Sequence, residues 1–160
     1  MGTRSRIAVM HGSKILSVYC HWDGYPSHNG AILEEHYTSM QKANNLVALG
    51  DVSSLAPEIG EKHDFSYLEH GRGRQEYEDK YGNMTTFYGR DRGDTDVAYK
   101  VSDSFGEFMD LCSSCGAEYY YIIRDGVWYC GDDMNGWNKA MVINERRLDK
   151  ILEPEALARC

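Results

Sequence analysis

The sequence has little proline, no long apolar run and fewer positive than negative charges. It contains 3 prolines in 160 residues. Its apolar runs are far below the ~18 residues that a membrane-spanning helix needs. The polar N-terminal residues 1–14 lack the features of a secretory signal. We therefore expect a protein that neither spans a membrane nor is secreted.

The deficit of positive charge limits the partners. The chain has 17 Lys and Arg against 25 Asp and Glu, a net charge of −8 and a pI of about 5.2. A general binder of duplex nucleic acid would need the opposite balance. An acidic surface mainly keeps a small protein soluble. An inhibitor that mimics DNA remains an alternative, although the acidic residues are interspersed rather than arranged in rows.

The cysteines do not form the even set expected of a disulfide framework. There are five of them, and Cys160 is the last residue. Disulfide-stabilised domains are typical of secreted proteins. This pattern instead favours a reducing compartment, and we expect the protein in the cytoplasm of a host cell.

The length and the local patterns predict one α+β domain over residues 1–160. Gly12-Ser13 and Asp125-Gly126 each lie between strand-like runs and predict hairpins. Ser104 and Glu107 form a capping-box pattern before a helix. We expect a mainly antiparallel sheet of hairpins covered by helices on one side, with a polar excursion around residues 61–83 and a final helix over 145–157.

Two groups of side chains have the composition of metal or acid–base sites. His21, Asp23, His28 and His36 lie close together in sequence, but their spacing matches no established metal signature. Cys112 and Cys115, with Cys130 as a further candidate ligand, could bind zinc or act as a redox pair. Packing along the apolar stripe of its helix is the favoured explanation of Cys112. The sequence therefore assigns no metal, cofactor or catalytic residue.

Arginines beside glycines are a local exception in this acidic chain. Guanidinium groups in such turns can bind phosphate, and aromatic side chains can stack on a base. We therefore predict a ligand-binding rim, formed by His21, Trp22, Asp23, Tyr25, Arg72, Arg74, Tyr88, Arg90 and Arg92. The alternative is that residues 90–94 form a self-neutralising surface turn.

Five stretches together resemble a family of small proteins encoded by tailed phages and prophages. They are residues 18–26, the helix that follows, and residues 46–60, 87–94 and 117–130. The resemblance carries no catalytic residues to this chain. It implies a small cytoplasmic accessory protein made during infection, a class in which counter-defence and host-takeover functions are common.

Together these patterns favour a binding protein over an enzyme. The first hypothesis is sequestration of a small phosphorylated, nucleotide-derived ligand. The second is inhibition of a host or defence protein through an acidic and aromatic surface. The third is an enzyme that acts on a phosphodiester with His21 and Asp23. A homo-oligomer is compatible with each of them.

Overall fold

The computed structural model describes residues 2–69, 73–132 and 136–141. Within these ranges, eight strands form one sheet, accompanied by four α-helices. The strands are β1 (Ser5–His11), β2 (Lys14–Cys20), β3 (Val52–Ser54), β4 (Thr86–Phe87), β5 (Lys100–Ser102), β6 (Tyr119–Arg124), β7 (Val127–Asp132) and β8 (Gly136–Met141). The helices are α1 (Ala31–His36), α2 (Met40–Ala48), α3 (Gly73–Tyr81) and α4 (Phe105–Ser114).

The sheet has the order β4-β3-β2-β1-β6-β7-β8, and β5 also pairs with β2. Five of the strand pairs are antiparallel, while β1 with β6 and β2 with β3 are parallel. Both predicted hairpins are present: β1 and β2 turn at Gly12-Ser13, and β6 and β7 turn at Asp125-Gly126. The structure thus confirms a mainly antiparallel α+β fold.

The two faces of the sheet carry separate cores because side chains alternate along each strand. Ile7 and Val9 of β1 join the larger core under α1 and α2, with Leu33 and Leu46 from those helices. The next residues of β1, Ala8 and Met10, join a second core formed with Phe105 and Phe108 of α4. Helices therefore cover both faces, and in this respect the fold differs from the expected one-sided cover.

The helix start predicted at Ser104 is confirmed in atomic detail. The Ser104 hydroxyl accepts a hydrogen bond from the Glu107 backbone N–H at 3.1 Å, which caps α4. Ser39 caps α2 in the same way through Lys42, at 3.1 Å. The final helix predicted over 145–157 lies outside the described residues.

The polar excursion around 61–83 is folded rather than a plain loop. It contains a 3₁₀ turn over Phe65–Glu69 and then α3. The ring of His63 stacks on that of Tyr81, with centroids 4.5 Å apart, and Phe65 stacks on Tyr77 at 5.7 Å. These aromatic contacts hold α3 against the first residues of the excursion.

Within the described residues, no helix combines the length and the apolar character that crossing a membrane requires.

Candidate functional site

A cleft of about 420 Å³ opens between α3 and the loop that follows β2. We call it the α3 cleft. Its volume lies within the range of small-molecule sites. The loop after β2 contributes one wall, β3 and the residues after it contribute the floor, and the excursion contributes the other wall. The lining side chains include Trp22, Asp23, His28, Ser54, Leu55, Phe65, Leu68, Arg74, Tyr77, Glu78, Tyr81, Thr86 and Arg92.

The loop after β2 is held in one shape by a tight backbone turn. Asp23 has a positive φ of 55°, and the Gly24 N–H donates to the Thr3 carbonyl at 2.8 Å. A Cβ at Gly24 would lie 2.7 Å from the Ser5 Cβ, so only glycine fits there. The buried Tyr121 hydroxyl donates to the Gly24 carbonyl at 2.6 Å. The sheet thereby fixes the wall that carries Trp22 and Asp23.

Trp22 stands at the mouth of the cleft with 42% of its surface exposed. Its backbone N–H donates to the Ser53 carbonyl at 3.1 Å, which continues the pairing of β2 with β3. The His21 ring stands perpendicular to the indole, with centroids 4.7 Å apart. The indole is thus supported and still exposed, which suits a stacking surface.

His28 is oriented from behind by a buried amide. Its Nδ1 lies 2.9 Å from the Oδ1 of Asn29, a residue with no exposed surface. The Asn29 Nδ2 faces the Trp22 carbonyl, the Ser5 hydroxyl and the Cys20 thiol at 3.3–3.4 Å. The short π-helical turn over Pro26–Gly30 brings these two neighbouring side chains together.

The arginines of the predicted rim have different roles. Arg74 and Arg92 both line the cleft and are exposed. The Nη2 of Arg74 lies 3.9 Å from the Glu78 carboxylate, and the Arg92 guanidinium lies over the Tyr88 ring at 5.6 Å. Arg72 lies outside the described residues.

Arg90 is engaged within the protein rather than at the cleft. It donates to the backbone carbonyls of Ile59, Gly60 and Thr85 at 3.0–3.2 Å. It also forms a two-point ion pair with Asp91, at 2.9 and 3.2 Å. This guanidinium therefore ties the start of the excursion to the turn after β4.

Asp91 lies at the centre of that turn and its side chain is fully buried. Its carboxylate accepts from the backbone N–H groups of His63 and Phe87 at 3.0 and 2.7 Å. Arg90 and Asp91 thus neutralise each other's charge. Arg92, the next residue, has no ion pair within the described part of the chain.

The remaining residues of the predicted rim surround the cleft rather than line it. The Tyr25 hydroxyl donates to the Asp23 carboxylate at 3.2 Å. The His21 Nδ1 lies 2.6 Å from the Tyr19 hydroxyl, and no hydrogen bond joins its ring to Asp23 among the described contacts. Tyr88 supports Arg92 from below. The structure thus brings Trp22, Asp23, Arg74 and Arg92 to one cleft and leaves His21, Tyr25, Tyr88 and Arg90 behind or beside it.

Several lining residues escaped the sequence analysis because they lie in the polar excursion. Phe65, Tyr77, Glu78 and Tyr81 were not considered as site residues. The signal that could have found them is the i, i+4 spacing of Tyr77 and Tyr81, which puts both rings on one face of α3.

A second depression of about 550 Å³ adjoins the cleft and is more open. It shares Phe65, Leu68 and Arg92 with the α3 cleft, and it adds the exposed Asp94. Arg92 therefore stands between two neighbouring concave surfaces. A ligand larger than the cleft could extend past it.

The three candidate zinc cysteines do not come together, because the sheet separates Cys130 from Cys112 and Cys115. Cys112 is buried in the second core and Cys130 in the larger core on the opposite face of the sheet. Cys115 lies at the C-terminal end of α4 beside Arg6, at 4.0 Å from its Nη1. Across the described ranges, no group of three or more His, Cys, Asp or Glu side chains is arranged to hold a metal ion.

The chemistry of the cleft is mixed rather than purely cationic. Arg74 and Arg92 offer guanidinium donors, while Asp23 and Glu78 offer carboxylate acceptors. Aromatic surface comes from Trp22 on one wall and from Tyr77 and other rings on α3. Such a lining can hold an anionic group, an apolar ring and hydrogen-bond donors of one ligand at the same time.

The lining residues come from separate stretches of the chain, so no short linear motif describes the cleft. In comparisons with known proteins, no family model, no curated protein and no solved structure matches the chain.

Proposed function

We propose that this protein binds and sequesters a small phosphorylated ligand of the nucleotide class in the α3 cleft. The observation that carries the proposal is the meeting of Trp22 and Asp23 with Arg74 and Arg92 in one concave surface. A nucleotide combines a phosphate, a planar base and sugar hydroxyls. These groups need guanidinium donors, a stacking surface and acceptors, respectively.

The state of the two arginines supports an anionic ligand. Arg92 has only the Tyr88 ring as a described partner, and Arg74 has a single long contact of 3.9 Å in an exposed position. An exposed pair of this kind contributes little to stability. Both guanidinium groups can therefore turn to a phosphate at small cost.

The two carboxylates of the cleft indicate a ligand that carries hydrogen-bond donors as well as a phosphate. Asp23 and Glu78 would repel an inorganic anion that filled the cleft, but they can accept hydrogen bonds from sugar hydroxyls or base amino groups. The resemblance to phage-encoded proteins adds a setting to the proposal. A host signalling nucleotide, removed from solution in the infected cytoplasm, would serve counter-defence.

The test is a titration of the purified protein with nucleoside monophosphates by calorimetry, followed by native mass spectrometry. Arg92→Ala should weaken binding about tenfold or more, because it removes a charge-assisted hydrogen bond to phosphate. Lys14→Ala is the matched control. Lys14 lies on the hairpin of β1 and β2 and is an exposed cation that pairs with Asp103. Loss of equal size in both variants would contradict a specific role for the cleft.

The same experiment separates the three functional hypotheses. Sequestration requires that the ligand released after denaturation has an unchanged mass. A changed mass would identify an enzyme instead. If no nucleotide binds and the protein is recovered from cells with a host protein, the inhibitor hypothesis is favoured.

A further inference from the structure

His28 is the cleft-lining imidazole whose hydrogen-bonding role is fixed by the protein itself. The Asn29 Nδ2 faces the Trp22 carbonyl, which can only accept, so Nδ2 is the donor end of that amide. The Asn29 Oδ1 is then the acceptor that faces His28. Because Asn29 is fully buried, its amide cannot turn to another partner without losing these bonds.

This arrangement selects one form of the neutral ring. With Oδ1 as acceptor, His28 must donate through Nδ1–H, which leaves Nε2 as a lone-pair acceptor. The Nε2 atom has no hydrogen bond within the described part of the chain. On the same wall, Asp23 also presents acceptor oxygens, one of which accepts a hydrogen bond from the Tyr25 hydroxyl.

We propose that His28 Nε2 determines specificity by accepting a hydrogen bond from the exocyclic amino group of a nucleobase. The inference rests on the nucleotide-binding function proposed above and names the class of base. Guanine and adenine, the purines compared below, carry such an amino group. Sites that read a free base commonly combine stacking with hydrogen bonds to its edge. Trp22, which lines the same cleft as His28, supplies the stacking surface.

The polarity of the cleft orients the ligand. Phosphate oxygens are acceptors, so they are not bound by an unprotonated Nε2 or by the Asp23 carboxylate. They pair instead with Arg74 on α3 and with Arg92. The base therefore lies toward the loop after β2, and the phosphate lies toward the excursion.

The test compares nucleotides that differ in one amino group. GMP differs from IMP by the 2-amino group, and AMP differs from purine riboside 5′-monophosphate by the 6-amino group. For at least one of the two pairs, the wild-type protein should bind the amino-bearing member about tenfold or more tightly, since its partner leaves Nε2 without a donor. Calorimetric titration of all four nucleotides measures both differences.

Two variants at position 28 connect the discrimination to Nε2. In His28→Gln the amide can place an oxygen near the position of Nε2, so the preference should persist. In His28→Asn the shorter amide reaches only the Nδ1 position, and the preference should fall to within about twofold. Circular dichroism verifies that each variant is folded, and thermal denaturation of ligand-free protein measures any change in stability.

The possible results separate the two proposals. If none of the four nucleotides binds the wild-type protein, the proposed function and this inference both fail. If they bind but both pairs bind equally, or if His28→Asn keeps the preference, only the role of His28 is overturned. A preference lost in His28→Asn and kept in His28→Gln supports it.

Discussion

At the scale of a single residue, the buried carboxylate of Asp91 organises the turn after β4, which also carries Arg92. Its carboxylate joins the His63 and Phe87 N–H groups to the Arg90 guanidinium. In Asp91→Asn the volume is kept, but Arg90 loses its counter-charge and an NH₂ group replaces one acceptor oxygen. We expect a loss of about 2–4 kcal/mol in the free energy of unfolding, measured by urea denaturation.

Asp94→Asn is the control for this prediction because it makes the same chemical change three residues away. Asp94 is exposed, and the side chain has no hydrogen bond among the described contacts. Its unfolding free energy should stay within about 0.5 kcal/mol of the wild type. Equal effects at the two positions would show that the buried network is not what stabilises the turn.

The same turn contains two arginines whose side-chain directions the sequence does not reveal. Arg90 and Arg92 are equivalent in the pattern Gly-Arg-Asp-Arg-Gly, and both were predicted as ligand contacts. The turn after β4 directs Arg90 inward onto three carbonyls and leaves Arg92 outside on Tyr88. The direction of each side chain depends on backbone bonds such as Asp91 N–H to the Phe87 carbonyl, which composition does not encode.

At the scale of an element, α3 depends on a buried histidine. The side chain of His63 is almost fully buried, stacks on Tyr81 and meets the Tyr77 hydroxyl at 2.8 Å. Burial lowers the pKa of His63 below its usual value; the Arg90 charge lowers it further, while Asp91 and Glu61 oppose the shift. The folded protein therefore disfavours the imidazolium.

The sign of the resulting pH dependence follows from linkage. Between the lowered folded pKa and the unfolded value of about 6.5, the unfolded chain binds more protons at His63 than the folded one. The stability that the neutral His63 side chain contributes to the folded state is thus complete above that pH range and is lost as the pH falls through it. We expect the unfolding free energy to decline between pH 7.5 and 5.5, measured by urea denaturation at each pH.

His63→Gln separates this effect from the other titrating groups. Glutamine can still hydrogen-bond with Tyr77 but does not titrate, so the decline between pH 7.5 and 5.5 should become shallower than in the wild type. A difference in absolute stability between the two proteins does not affect the comparison, because the slopes of stability against pH are compared. Parallel curves for the two proteins would mean that His63 is not the group responsible.

Elements differed in how well they could be predicted. The hairpins follow from turn residues between β-rich runs, and Ser104 with Glu107 defines a helix start, so local chemistry was sufficient. The helix α3 was missed because its sequence is dominated by charge, while its packing depends on two tyrosines and a histidine ten or more residues earlier. The wall of the α3 cleft that the excursion forms, apart from Arg74, was missed for the same reason.

At the scale of the whole molecule, one sheet is shared by two cores. The run Ile7 to Met10 is apolar at every position, which is typical of a strand covered on both faces. This apolar run was visible in the sequence. The predicted hairpins nevertheless favoured a sheet covered by helices on one face only. Because β1, β2 and β6 contribute to both cores, neither core should unfold without the other.

Phe108→Ala tests this shared stability from the face opposite to the cleft. Phe108 is fully buried under α4, so its loss should cost about 3–5 kcal/mol through lost burial and the cavity left behind. In a background that retains only Trp128, with Trp22 and Trp137 replaced by phenylalanine, fluorescence reports the larger core. Its urea transition and the far-UV circular dichroism transition should move together and remain coincident.

Leu68→Ala provides the contrast for Phe108→Ala, since Leu68 is 42% exposed at the edge of the cleft. Its transition should move by no more than about 0.5 kcal/mol. If Phe108→Ala instead shifts the circular dichroism signal and leaves the Trp128 transition in place, the two faces unfold separately. If both transitions shift together, the two cores unfold as one unit. The loop after β2, which Tyr121 of β6 fixes, is then stabilised by the core around Phe108 as well as by the larger core.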